Sequence, residues 1–333
     1  MEAPRLTLVV YGEGVITINR LHRITCGIDV HKKSVMVSIA RHSQASDALV
    51  FETKEFRSFR SDLRRMAAWL ESNKVEISAM EGTGVYWKSV FEVLEEADQS
   101  VILVNARHIK QVPGRKTDVT DSQWLAQLAM WGLLKASFVP PRDIRELRIL
   151  TRYRCKLVGA RASEKNRMHK VLSDAGVRLG CVVSNIDGVA ARKIIDSLIE
   201  GERDMLKVAT ANIGRLRASP KEVSDSLEAN LSDRHRFVLS EIRDHIRNLD
   251  TSISKIDAQV VGAMKSYEAQ WRLIQTIPGF DQISAAMLLA EIGSDMTHFP
   301  SKEHLASWAG VCPGNNESAG KKSLDELAKQ TST

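Results

Sequence analysis

The pattern of apolar and polar residues switches period several times between Ile24 and Leu134. Residues 24–40 (ITCGIDVHKKSVMVSIA) read as two short β-runs around a polar turn, His31-Lys32-Lys33-Ser34, and Ala48–Thr53 reads as a third. Arg57–Ser72 then repeats at the helical period, with Leu63, Met66, Ala67 and Leu70 on one side. Val75–Met80 predicts a strand, Tyr86–Ala97 a helix, Val101–Asn105 a strand and Asp121–Leu134 a helix. Three β-runs followed by alternating helix and strand predict an α/β domain with a mixed sheet, closed by Pro140-Pro141.

Beyond the prolines the pattern is helical. Asp143–Leu172 is long and rich in arginine, and Gly176–Gly180 breaks it. Leu239, Ile242, Ile246, Leu249, Ile253, Ile256 and Val260 are spaced 3, 4, 3, 4, 3 and 4, an a/d seam of about three heptads. An antiparallel hairpin with the Asp143–Leu172 helix or a dimer contact would bury that seam equally well. From Arg272 a Pro-Gly turn, Pro278-Gly279, separates two apolar helical stretches; it reads either as a loop between two core helices or as a helix–hairpin–helix, whose turn can present the Gly279 backbone to a phosphate.

Composition narrows the class. The chain has 333 residues, 43% hydrophobic and 26% charged, enough for two globular domains and inconsistent with wholesale disorder or a fibrous repeat. No apolar run approaches the roughly 18 residues of a membrane span. The apolar run Leu6–Val10 is broken by Tyr11-Gly12-Glu13-Gly14, unlike a signal peptide. Four scattered cysteines without a CxxC pair argue against a disulfide framework or zinc knuckle and fit a reducing cytoplasm.

The net charge of +6 says little until it is located. Asn105–Leu172 holds 15 Lys or Arg against 5 Asp or Glu, a net of +10, which leaves the rest of the chain at −4. A positive block of this kind collects phosphates. The basic side chains Arg145, Arg148, Arg152, Arg154, Lys156, Arg161, Lys165 and Arg167 outnumber the acids of their own helix too heavily for i,i+4 pairing, and are expected, with Lys116, to contact a DNA or RNA backbone. Trp87, Trp124 and Trp131 fall among apolar neighbours and read as core residues rather than base-stacking ones.

Four carboxylates stand near this block. Asp29 ends an apolar β-run, where it either caps a turn or faces a cleft; Glu81 ends the next well-defined strand. Asp118 and Asp121 are three apart at the start of a helix, a spacing that suits N-terminal capping and also puts both on one face. Acidic residues gathered together need a compensating cation, and hard oxygen donors suit Mg²⁺ or Mn²⁺. A pair of such ions can hold a scissile phosphate. An actin-like or sugar-kinase ATPase also begins with a Gly-Ile-Asp strand, but follows it with a Gly-rich phosphate loop where this chain has His31-Lys32-Lys33.

GIDVHKKSV, MEGTGVYW and GRKTDVTDSQWLAQL resemble, in order and spacing, the motifs of the DEDD transposases of the insertion-sequence one-ten family. Those proteins resemble the Holliday-junction resolvase RuvC in an RNase H-like domain. The resemblance implies three parts: an RNase H-like domain over 22–140, a basic helical and coiled-coil connector over 141–268, and a mainly α-helical transposase domain over 269–333. It implies that Asp29, Glu81, Asp118 and Asp121 bind two Mg²⁺ or Mn²⁺ ions. LIQTIPGFDQISAAMLLAEIG and HLASWAGVCPGNNESAG match the C-terminal domain of the family, whose serine nucleophile corresponds to Ser318. The implied activity is insertion-sequence excision and insertion through a covalent serine–DNA intermediate, by a homo-oligomer guided by a structured bridge RNA. Two alternatives stand beside it, a RuvC-like metal nuclease in which water attacks, and an inactive nucleic-acid-binding remnant. The chain stops 15 residues after Ser318, and the stretch before Gly27 is longer than the family pattern, so a truncated C-terminus and a misplaced start are expected.

Overall fold

Apolar alternation and chain reversal at His31–Lys33 produce the first half of a five-stranded sheet. In a computed structural model, β3 (Ile24–Val30), β4 (Ser34–His42) and β5 (Leu49–Arg57) form an antiparallel meander. The structure describes residues 5–9, 15–19, 21–43, 48–82, 84–106, 109, 120–212, 214, 216–311, 317–318 and 321–322. A separate hairpin, β1 (Arg5–Val9) with β2 (Val15–Asn19), precedes the meander. After it come α1 (Arg60–Ser72), β6 (Ile77–Glu81), α2 (Trp87–Glu96), β7 (Val101–Val104) and α3 (Asp121–Met130). The sheet order is β5-β4-β3-β6-β7, with β3, β6 and β7 parallel.

The strand period of two divides the side chains of β3 between two layers. Cys26, Ile28 and Val30 pack in one core with Leu63, Met66 and Leu70 of α1 and Val90 and Leu94 of α2. Thr25 and Gly27 face α3 instead: the Thr25 hydroxyl donates to the Ala126 carbonyl at 2.7 Å. Ala79, Val104, Trp124, Leu125 and Leu128 fill that second layer. Trp124 is buried there, Trp131 is buried with Ala40, Ala126 and Met130, and Trp87 packs edge-on against Phe91, so all three tryptophans serve the core.

Of the boundaries that differ from the sequence pattern, two follow from strand pairing. β5 runs on to Arg57 because β4 offers it a full set of partners, from Leu49 opposite His42 to Arg57 opposite Ser34; backbone pairing outweighs the charges at Glu52, Lys54 and Glu55. Helix α1 therefore starts at Arg60, after the extended Phe59.

A second compact unit begins at Pro140. It holds α4 (Arg142–Asp174), α5 (Val189–Glu200), α6 (Met205–Asn212), α7 (Pro220–Leu227), α8 (Asp233–Ala263), α9 (Glu268–Gln275), α10 (Gln282–Ile292) and α11 (Lys302–Trp308). The heptad seam lies on α8 and is covered by α4 of the same chain, so the hairpin forms rather than a seam left for a second copy. Its rungs run antiparallel: Arg154 meets Asp257, Arg161 meets Asp250 and His245 meets Glu164. One end of the hairpin shares a core with α5–α7, through Met168, Leu172, Leu239, Ile242, Ile194, Val208 and Val223. The other shares one with α10, through Ile144, Leu147, Val260, Ala286 and Leu289. Ser318 falls on a two-residue strand, β8 (Glu317–Ser318), paired with β9 (Lys321–Lys322).

Candidate active site

Parallel pairing of β3 with β6 sets Ile28 beside Met80, which makes Asp29 and Glu81 the next neighbours at the carboxyl end of both strands. Both continue the side-chain series that faces α3, Thr25-Gly27-Asp29 and Ile77-Ala79-Glu81. The third carboxylate comes from α3 itself. Thr120 caps that helix by accepting from the Gln123 backbone N–H, and Asp121 occupies its first turn, where the helix dipole favours a negative charge.

Gly27 is what lets α3 come so close. A Cβ at this position would lie 1.9 Å from the Ser122 carbonyl oxygen, 2.5 Å from the Ala126 nitrogen and 2.8 Å from the Leu125 Cβ. Hydroxyls fix the same approach from the neighbouring strand, since Ser38 lies 2.8 Å from both Ser122 and Thr53.

Glu81 and Asp121 both come within electrostatic reach of Asp29. Burial pushes the Asp29 carboxyl above its ordinary value; the nearby charge of His31 opposes this, and repulsion from Asp121 and Glu81 adds to it. The His31 ring, Nε2 3.0 Å from Asp29 Oδ2, is a site residue that the sequence showed only as part of a turn. Asp118 lies outside the described residues. Among the described residues no three Asp, Glu, His or Cys side chains stand close enough to hold one metal ion. The donor chemistry nevertheless fits a hard divalent cation: oxygen ligands only, with a half-buried carboxyl whose ionisation is opposed by two others.

Against this geometry, the comparisons with known proteins are decisive. A DEDD transposase model of the IS110 family, described as a transposase, matches residues 26–176. The model of the transposase IS116/IS110/IS902 family matches residues 271–333. The chain belongs to the IS110 family of DEDD transposases. Its mixed five-stranded sheet with flanking helices, followed by a mainly helical remainder, is the order of elements expected from the motifs.

Individual relatives of this IS110-family chain match over shorter stretches. Pilin gene-inverting proteins of Moraxella bovis and Moraxella lacunata are each 34% identical over 85 residues, 25% of this chain and 26% of theirs. The match thus spans about a quarter of the length of these relatives. Among solved structures, T. thermophilus RuvC in complex with a Holliday junction substrate aligns with 12% identity and a TM-score of 0.27, over 35% of this chain and all of that one. A Fowlpox virus resolvase with Holliday junction DNA aligns with 15% identity and a TM-score of 0.22, over 28% and 65%.

In the helical unit of this family member, the basic helix is far less free than its composition implied. Asp187, just before α5, and acids of α8 and α10 supply partners that α4 itself lacks. Arg148 donates to the Ala290 and Glu291 carbonyls at 2.7 and 2.6 Å, and Arg152 to the Glu291 carboxylate at 2.9 and 2.8 Å. Arg154 pairs with Asp257, and Arg161 with Asp187 and Asp250 at 2.9 and 2.7 Å. Lys165 pairs with Asp187 and Arg167 with Glu164. Arg145 donates to the Pro140 carbonyl at 3.0 Å. Lys156 is exposed and, among the described residues, has no carboxylate partner. Lys116 lies outside the described residues. Gly279 has φ +92 in the turn between α9 and α10, where a Cβ would meet nothing within 4 Å.

Proposed function

We propose that this chain is a transposase that cleaves and rejoins DNA strands at the carboxyl end of its mixed sheet. The observation that carries the reading is the gathering of Asp29, Glu81 and Asp121 on one face, at one end, of a sheet built on the pattern of the family. Asp118, three residues before Asp121, completes the set. These four would hold one or two Mg²⁺ or Mn²⁺ ions, which supply Lewis-acid polarisation of a phosphoryl oxygen. His31 would orient the Asp29 carboxylate. Ser318 would attack the phosphorus: its Oγ–P bond forms, the P–O bond to the adjacent nucleoside breaks, and the leaving oxygen is protonated. The same reading assigns a structured guide RNA and a homo-oligomer, on the strength of the family resemblance. Of the basic residues, Lys156 and Lys116 are the ones proposed to reach a phosphate backbone. Arg145, Arg148, Arg152, Arg154, Arg161, Lys165 and Arg167 would do so only by sharing charge with their internal partners. The Gly279 turn is proposed to present backbone N–H groups to a phosphate.

Cleavage of supercoiled and branched DNA, with Mg²⁺ and with chelator, tests the assignment. Asp29→Asn, Glu81→Gln and Asp121→Asn should each lower metal-dependent cleavage by about a hundredfold or more. Undiminished cleavage in these variants would remove the site. Denaturing gels should also show a protein–DNA adduct that Ser318→Ala abolishes; cleavage that persists without an adduct would favour attack by water.

A further inference from the structure

The end of the sheet that carries Asp29 holds a second group of residues that the strand-cleavage reading does not use. The β3–β4 turn is closed by the His31 backbone N–H donating to the Ser34 carbonyl at 2.9 Å. It is stitched to the β5–α1 junction by a single residue: Ser58 donates its backbone N–H to the Lys33 carbonyl at 3.1 Å and its hydroxyl to the His31 carbonyl at 3.3 Å. With the turn carbonyls engaged in this way, the Lys32 and Lys33 side chains are left exposed.

Beside them stands an aromatic residue in an unusual setting. Phe59 is 65% exposed although it lies between a strand and a helix rather than at a chain end. The Arg57 guanidinium carbon lies 5.3 Å from the Phe59 ring centroid. Arg57 is itself steadied by Asp62, a carboxylate only 5% exposed, to which Arg57 Nη2 donates at 3.0 Å and which Arg65 also contacts. A buried acid thus orients an arginine beside an exposed ring. Two lysines, an arginine and an open aromatic face on one rim are the elements of a single-strand platform, where cations track phosphates and a ring stacks an unpaired base.

We propose that Lys32, Lys33, Arg57 and Phe59 form a subsite for a single-stranded nucleotide segment next to the scissile phosphate, with Phe59 stacking an unpaired base and the lysines contacting the flanking phosphates. The inference rests on the strand-cleavage reading for its substrate, but its test does not require cleavage. Binding of fluorescent single-stranded and duplex oligonucleotides of the same sequence is measured in chelator across a salt series. Phe59→Ala should weaken single-strand binding by about tenfold and leave duplex binding within twofold, while Phe59→Trp restores it. Lys32→Gln with Lys33→Gln should reduce the slope of log affinity against log salt for single strands by about 1.4. Unchanged single-strand affinity in Phe59→Ala, or an equal loss on duplex, would overturn the subsite. So would a double lysine variant with the parental slope. Circular dichroism checks that each variant is folded, as the exposure of Phe59 leads one to expect. Asp29→Asn separates the two ideas: full cleavage in that variant removes the catalytic reading, whereas altered binding in Phe59→Ala stands or falls on its own.

Discussion

At the scale of single residues, the site depends most on a side chain that is missing. The backbone of α3 occupies the space that a Cβ on Gly27 would need, with the Ser122 carbonyl 1.9 Å from its ideal position. Gly27→Ala must push back the helix that carries Asp121. We expect it to cost about 3 kcal/mol, measured by urea denaturation, and to reduce metal-dependent cleavage although no acidic residue has changed. Stability and cleavage both equal to the parent would refute this account. The positions of Asp29 and Glu81 toward the carboxyl ends of neighbouring strands were legible in the sequence, because each closes an apolar run. The His31–Asp29 contact was not legible, because it exists only after the turn folds back on its own strand. The closeness of Asp121 was equally hidden: its sequence position fits a helix cap as well as a metal ligand.

At the scale of elements, the apolar periods showed where helices and strands lie, while the charge of one helix did not show which of its residues pair inside the fold. The seam on α8 was plain from its 3,4 spacing, but its partner depends on which surface covers it, and α4 does so within the chain. The arginines of α4 looked destined for phosphate because only the acids of their own helix are visible in a linear reading. Asp187, which precedes α5, shows what was concealed. Its carboxyl is 6% exposed; burial pushes it up, but hydrogen bonds from Arg192 and Lys165 outweigh burial and hold it down at about 2. A carboxyl whose acidity is strengthened by folding contributes stability above its unfolded value of about 4, and that contribution disappears as pH falls through about 2. Asp187→Asn should therefore be less stable than the parent at neutral pH, with the two denaturation curves converging as the pH falls from about 4 to about 2. A constant difference across that range would show that the ion pairs with Asp187 are not the source of its stability.

At the scale of the whole molecule, the two units Met1–Val139 and Pro140–Thr333 are built around separate apolar cores. Leu70, Met80 and Leu94 belong to one, and Leu172, Ile194 and Leu239 to another. Calorimetry should resolve two unfolding transitions. Leu94→Ala should lower the first unit alone, and Leu172→Ala the second alone, each by about 2–5 kcal/mol. A single transition displaced equally by both substitutions would show that the cores unfold as one. The hairpin of α4 and α8 has a further consequence, for the fidelity of assembly. Its rungs pair Arg154 with Asp257 and Arg161 with Asp250, and the two aspartates are one heptad apart. Heptad seams are prone to slip by a whole repeat, since the apolar stripe looks the same after seven residues. Slipped by one repeat, the hairpin would set Arg154 opposite Asp250 but drive Arg161 against Arg243. The charges thus act as a proofreading key, admitting one alignment of two helices whose hydrophobic faces would accept several.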